Sequence, residues 1–172
     1  MSEQYDDIKQ ELIEMGEEDQ KMQERALERG EDLDVDLMET HTKRLREIIN
    51  KIGWPTIDQV GEEASDAAFL IVQHSDHNPS FQEEVLSKMG EAPDHSIPGH
   101  HIAYLTDRVR VAEGKDQLYG TQFQEDEQGR LAPYPIEDED QLDGRREEMG
   151  LQPFDDYLDQ MKEVVDGEVV WE

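Results

Sequence analysis

The longest unbroken apolar run in this chain, Ala67-Ala68-Phe69-Leu70-Ile71-Val72, has six residues. That is far short of the roughly 20 needed to cross a bilayer as a helix, so the run has to be buried inside the protein. Little else is available to cover it. The 45 Asp and Glu stand against 16 Lys and Arg for a formal net charge of -29, and only 34% of residues are hydrophobic. Globular proteins usually reach about 45–50%, on a count that includes Gly. The core must therefore be assembled from narrow apolar stripes on amphipathic elements that wrap around residues 67–72.

The stripes read as helices. Residues 4–29 carry Ile8, Leu12, Met15, Met22 and Ala26 at helical spacing, with Gly30 as the stop. A second helix is expected from about residue 35 to residue 52, burying Met38, Leu45, Ile48, Ile49 and Ile52. Trp54-Pro55 then forces a turn, because the residue before proline avoids the helical region. Thr56 and Gln59 have the spacing of a capping box. The helix they open contains Ala64, Ala67, Ala68, Ile71 and Val72, is apolar nearly all round, and ends near residues 74–77. That makes it the central element.

Asn78-Pro79 reads as an N-cap with proline at the first helical position, opening a helix that Gly90 closes. Another helix follows Ser96-Ile97-Pro98 and runs to Gly114. Residues 118–124 and 130–136 flank the acidic, Gly-containing stretch 125–129. This is a hairpin signal, although Pro133 and Pro135 reduce the second arm to an edge or extended segment. Short helices are expected over residues 141–149 and 154–165, and the tail with Val169, Val170 and Trp171 either docks back or adds a strand. The expected fold is mainly α: a compact helical domain with one small β-hairpin, α+β at the margin. A single domain spans residues 1–172, with a peripheral helix in 4–34, a body in 35–165 and a tail in 166–172.

Net charge this negative repels nucleic acid and anionic membranes, so neither is an expected partner. The acids are spread over the whole chain, as on the surface of a protein adapted to a salty cytoplasm, where concentrated cations screen carboxylates. The alternative is a specific acidic role, such as mimicking nucleic acid or holding cations. Cysteine is absent, which removes disulfide and thiolate chemistry. The acidic start has no apolar signal segment, so the expected location is cytoplasmic.

Three segments can carry chemistry. Gln73-His74-Ser75-Asp76-His77 follows the apolar run directly. A divalent metal at His74, Asp76 and His77 is a minor option, since the spacing matches no known ligand motif; His74 as a cap or a core hydrogen-bond partner is the commoner use. Thr106-Asp107-Arg108 lies on a helix where Asp107 needs polar partners if buried. An Asp that orients His74 makes His74 a general base; equally, Asp107 and Arg108 are structural anchors. In Gln117-Leu118-Tyr119-Gly120-Thr121-Gln122 a strand would turn Gln117, Tyr119 and Thr121 to one face, and Gly120 leaves room for a ligand or a backbone. No nucleophile elbow, P-loop or dinucleotide fingerprint is present. His41, His95, His100 and His101 read as exposed or loop residues; Arg145-Arg146, isolated in an acidic region, is either an anion site or, more commonly, a source of ion pairs within its own helix.

Taken in order, these segments resemble the family called domain of unknown function 6624, from about residue 15 to residue 157. The resemblance rests on Asp19-Gln20, Gly53-Trp54-Pro55, Val60-Gly61, the run 67–76, Phe81-Gln82, the run 103–109, the run 117–122, Pro135-Ile136, Asp143 with Arg145-Arg146, and Gly150-Leu151. Phe69 departs from the Trp frequent there. The resemblance groups Asp19, Gln20, Gln73, His74, Asp107, Gln117, Tyr119, Thr121 and Gln122, which either line one pocket or form a buried polar network.

Three functions are consistent with that grouping. The first is a small enzyme without a redox cofactor, acting on a polar small molecule or modified peptide. His74 serves there as general acid or base oriented by Asp107 or Asp76, while Gln73, Gln117, Tyr119, Thr121, Gln122, Asp19, Gln20 and Arg108 bind the ligand. The second is a non-catalytic ligand- or protein-binding module. The third is a purely structural network.

Overall fold

The computed structural model describes residues 3–165 and 167–171. Asp166 and Glu172 of the expected tail, and Met1 and Ser2 of the acidic start, lie outside the described residues. The chain parts into two compact units, residues 1–97 and 98–172. Among the described residues there are eight α-helices and one two-stranded antiparallel hairpin, a mainly α fold. Among the described residues no helix is long and apolar enough to cross a membrane.

In the first unit, α1 (Asp6–Arg29), α2 (Val35–Ile52), α3 (Ile57–Val60) and α5 (Pro79–Gly90) surround α4 (Glu62–Gln73), which touches all four. The apolar run does become the centre: Ala68, Ile71 and Val72 are buried, along with Leu12, Leu45, Val60, Phe81 and Val85. Each large side chain so buried contributes about 1.5–3 kcal/mol. Gly16 decides how closely α1 approaches, because a Cβ there would lie 2.7 Å from the Ala67 Cβ. Asp34 caps α2 through the Leu37 N–H, and Asn78 caps α5 through the Phe81 N–H.

One expected helix is two. The Thr56–Gln59 capping box forms, but it opens only the single turn of α3. Gly61, at φ 84° and ψ 165°, then turns the chain before α4 starts. Only glycine adopts that conformation readily, and the continuous apolar periodicity on either side concealed the break.

The second unit consists of α6 (Gly99–Ala112), β1 (Phe123–Glu125), β2 (Leu131–Pro133), α7 (Leu142–Glu148) and α8 (Phe154–Val164). The hairpin pairs Phe123 with Pro133 and Glu125 with Leu131. Residues 117–122 do not extend it as a strand; apart from a single bridge between Gln117 and Ile136 they form an irregular loop. The tail docks as expected: Val169 bridges Leu131, whose N–H donates to the Glu168 carbonyl and whose carbonyl accepts from the Val170 N–H. Ile136, Leu142, Phe154, Leu158 and Val169 make the apolar core of this unit.

Candidate functional site

The candidate site in the first unit starts from the apolar stripe of α1. Leu12, Met15, Asp19 and Met22 follow one another at helical spacing, and all four are buried. A carboxylate therefore sits on the face that packs toward α4, one turn beyond the Gly16–Ala67 contact. It is 2% exposed, and its Oδ2 lies 2.5 Å from Nδ1 of His74, the residue that ends α4. An ionised carboxylate can only accept, so Nδ1 is the donor in this contact and Nε2 is the ring nitrogen on the other side. The His74 side chain is 26% exposed, against 3% for Asp19.

Neighbouring residues continue the polar belt. Glu18 Oε2 lies 3.0 Å from Nε2 of buried His41. Buried Thr42 is 3.1 Å from the Ser75 hydroxyl and 3.5 Å from His77 Nε2, while Ser75 donates to the Ile71 carbonyl at 2.7 Å. Gln82, 1% exposed, donates to the Val72 carbonyl and to Asp76, bracing the turn that carries His74. The carboxylate on His74 is thus Asp19, a residue expected among the ligand-binding group, whereas Asp76 accepts from Gln82. Gln73 is half-buried and Gln20 exposed. No group of three or more His, Asp, Glu or Cys among the described residues is arranged to hold a metal ion.

In the second unit, Asp107 of α6 is fully buried, and the loop 117–122 is wound around it. Its Oδ1 accepts from the N–H groups of Leu118 (2.8 Å) and Tyr119 (3.1 Å), and its Oδ2 from the N–H and hydroxyl of Thr121 (3.0 and 2.9 Å). A carboxylate has about four lone-pair sites, and here they are taken. Gln117, equally buried, donates to the carbonyls of Gln122 and Tyr134 and accepts from the Gln122 N–H. Gln122 donates its amide to the Thr121 hydroxyl. The space at Gly120 is filled by the protein itself: a Cβ there would lie 2.6 Å from the Phe154 ring.

The two arginines were expected to pair within α7, but both guanidinium groups hold backbone carbonyls. Arg145 donates to Leu118, Asp138 and Glu137, and Arg146 to Gln152 and Tyr119. Arg146 is 1% exposed, 4.9 Å from the centre of the Tyr157 ring and 5.6 Å from that of Phe154. Burial holds its pKa below the ordinary guanidinium value and pushes the Tyr157 phenol up, with Tyr104 adding to the rise. The Tyr119 phenol is also raised, by burial first and then by the Asp107 charge. Arg108 is half-buried beside Asp107 on α6.

Two histidines expected at the surface are buried. His41 is 4% exposed and His101 2%, and burial lowers the His101 pKa to about 3, with His100 adding a smaller push in the same direction. Sequence reasoning saw the two halves of the Asp19–His74 pair without joining them. The available signal was Asp19's position in register with Leu12, Met15 and Met22.

No curated protein and no solved structure gave a significant match to the chain. The match to a family covers nearly its whole length, residues 6–169, and includes both the Asp19–His74 pair and the Asp107 loop. The chain belongs to the family of unknown function DUF6624.

Proposed function

We propose that the protein is a small enzyme without a redox cofactor, acting on a polar small molecule or modified peptide, with His74 as general acid and base and Asp19 as the residue that orients it. The observation that carries this reading is the 2.5 Å contact between a buried carboxylate and Nδ1 of a histidine that is still partly open to solvent. Such a pair fixes the ring and its tautomer, stabilises the imidazolium formed on accepting a proton, and leaves Nε2 to work on a substrate. Asp107, with its lone pairs taken by the loop it holds, has no part in this scheme.

The test is a panel of esters, amides and glycosides assayed with the wild type and His74→Gln, whose amide still offers Asp19 a donor. Any turnover found should fall by roughly 10²–10⁴ in the variant, the usual share of a general base. Unchanged turnover removes His74 from the mechanism.

The closed hydrogen bonding of Asp107, Gln117, Thr121 and Gln122 supports a structural reading for that group. It predicts loss of stability, and no loss of turnover per folded molecule, when those residues are replaced. The even spread of 45 acids supports a cytoplasm rich in salt as the setting. Stability should then rise as KCl goes from 0.1 M to about 2 M, as the Debye length shrinks from about 10 Å to below 3 Å; a flat or falling curve removes that reading.

A further inference from the structure

Beyond the dyad, the first unit contains a cavity of about 210 Å³ bounded by Glu39, Thr42, Lys43, Arg46, His77 and Asn78. Its walls are unusual for this protein. Acids outnumber bases 45 to 16 along the chain, yet Lys43, Arg46 and His77 meet here around a single depression. No carboxylate bridges Lys43 among the described residues. Arg46 turns its Nε to Glu84 at 3.1 Å and stacks over Phe81 at 5.1 Å, which leaves its two terminal amino groups. Asn78 spends its side-chain oxygen on the Phe81 N–H and the Ser80 hydroxyl, keeping its amide nitrogen as a donor. Thr42 and His77 share a long contact of 3.5 Å that an inserted acceptor can replace. Glu39 is the one acid in the wall, and it is exposed.

We propose that this cavity binds a phosphoryl group, and that it anchors the substrate on which the Asp19–His74 dyad acts. Lys43, Asn78, His77 and the two terminal amino groups of Arg46 make five donor groups, more than the roughly four lone-pair sites of a carboxylate, whereas a phosphate monoester offers three terminal oxygens and a charge near −2. Arginine in particular suits such an oxyanion, because its planar fork donates twice to one group. The net charge of -29 opposes a long polyanion. It acts weakly on one small anion, since at physiological salt charges beyond about 8 Å are screened and the cavity walls decide.

The link to the dyad is covalent and short. His74 and His77 are three residues apart, so their backbones are separated by at most about 11 Å. The substrate this implies is a small molecule that carries its phosphate several bonds from its reacting group. Phosphate binding at the cavity stands on its own; its assignment to the substrate rests on the proposed role of His74.

The test is a titration of the whole chain with inorganic phosphate at constant ionic strength, followed through the NMR signals of residues 42–46 and 77–78. Saturable shifts confined to those residues are expected. Lys43→Gln and Arg46→Gln should each weaken binding at least tenfold, Lys88→Gln should leave it unchanged, and acetate should bind at least tenfold more weakly than phosphate. Non-saturating shifts, shifts spread over all basic residues, or an affinity indifferent to both Lys43→Gln and Arg46→Gln overturn the site. Equal binding of acetate overturns the phosphoryl assignment. His74→Gln should bind phosphate as the wild type does. If it does so while turnover persists, the dyad reading fails and the anion site stands; if it loses phosphate binding, the anchor is not separate from His74 and the proposal fails.

Discussion

Asp19 and Asp107 are buried to almost the same depth, 2% and 0% exposed, and the protein uses them in opposite ways. Asp107 is wrapped by a loop of its own unit, whose four hydrogen-bond donors fill its lone pairs. Asp19 holds a histidine whose side chain is still 26% exposed. A buried carboxylate always needs partners, because leaving it unpaired costs several kcal/mol. What separates a structural carboxylate from one able to support chemistry is whether its partner is spent. Backbone N–H groups on a closed loop are spent; an imidazole held through one ring nitrogen keeps the other.

The sharpest way to break this contrast is to replace the carboxylates. Asp107→Ala strands at least three backbone N–H groups and should cost about 3–5 kcal/mol in urea unfolding, with turnover per folded molecule unchanged. If stability barely moves while function disappears, the assignment of the two regions is reversed. Gln117→Glu puts carboxylate oxygens against the carbonyls of Gln122 and Tyr134 and should cost about 2–4 kcal/mol, a test of the same network through a different residue.

Acid provides an internal probe of the second unit. His101 is neutral in the folded protein down to about pH 3, whereas in the unfolded chain it takes a proton near its ordinary value of about 6.5. Between those values the unfolded state binds the extra proton, so the contribution is fully present above about pH 6.5 and is lost as pH falls toward 3. The slope is at most about 1.4 kcal/mol per pH unit. Because carboxylates titrate over part of the same range, the measurement is the difference between wild type and His101→Gln. A smaller acid slope in the variant is expected; identical slopes contradict the burial of a neutral ring.

The smallest effect should come from Arg44, which grips Glu11 at 2.5 and 2.9 Å and joins α1 to α2. Its hydrogen bond holds the Glu11 carboxyl below the usual range, but both groups are more than a third exposed. Arg44→Gln should therefore cost no more than about 1 kcal/mol in urea unfolding. A larger loss makes the surface contact part of what sets the dyad.

The helical body was legible in the sequence because stripes such as Leu45, Ile48, Ile49 and Ile52 repeat at one period, and Asp34, Asn78 and Gly30 punctuate them locally. Gly61 was misread because a continuous apolar pattern crossed it, and periodicity carries no information about a φ of 84°. The loop 117–122 alternates like a strand, yet its shape is set by Asp107, a residue ten positions upstream whose hydrogen bonds leave no mark on local pattern. His74 was visible beside the apolar run. Its partner, 55 residues away, was visible only as a carboxylate in register with Leu12, Met15 and Met22, and pairing the two requires knowing that Gly16 lets α1 lie against Ala67. His41 and His101 were misplaced for a related reason: an imidazole can be buried neutral, so its polarity alone says little about exposure.

The central claim, that Asp19 makes His74 a poised base, is tested most directly by the ring nitrogens of His74 in a long-range nitrogen–proton NMR spectrum of the wild type at neutral pH. The account predicts protonation on Nδ1 and an unprotonated, solvent-reachable Nε2, with that tautomeric preference lost in Asp19→Asn. A proton on Nε2, or a tautomer indifferent to Asp19→Asn, contradicts it.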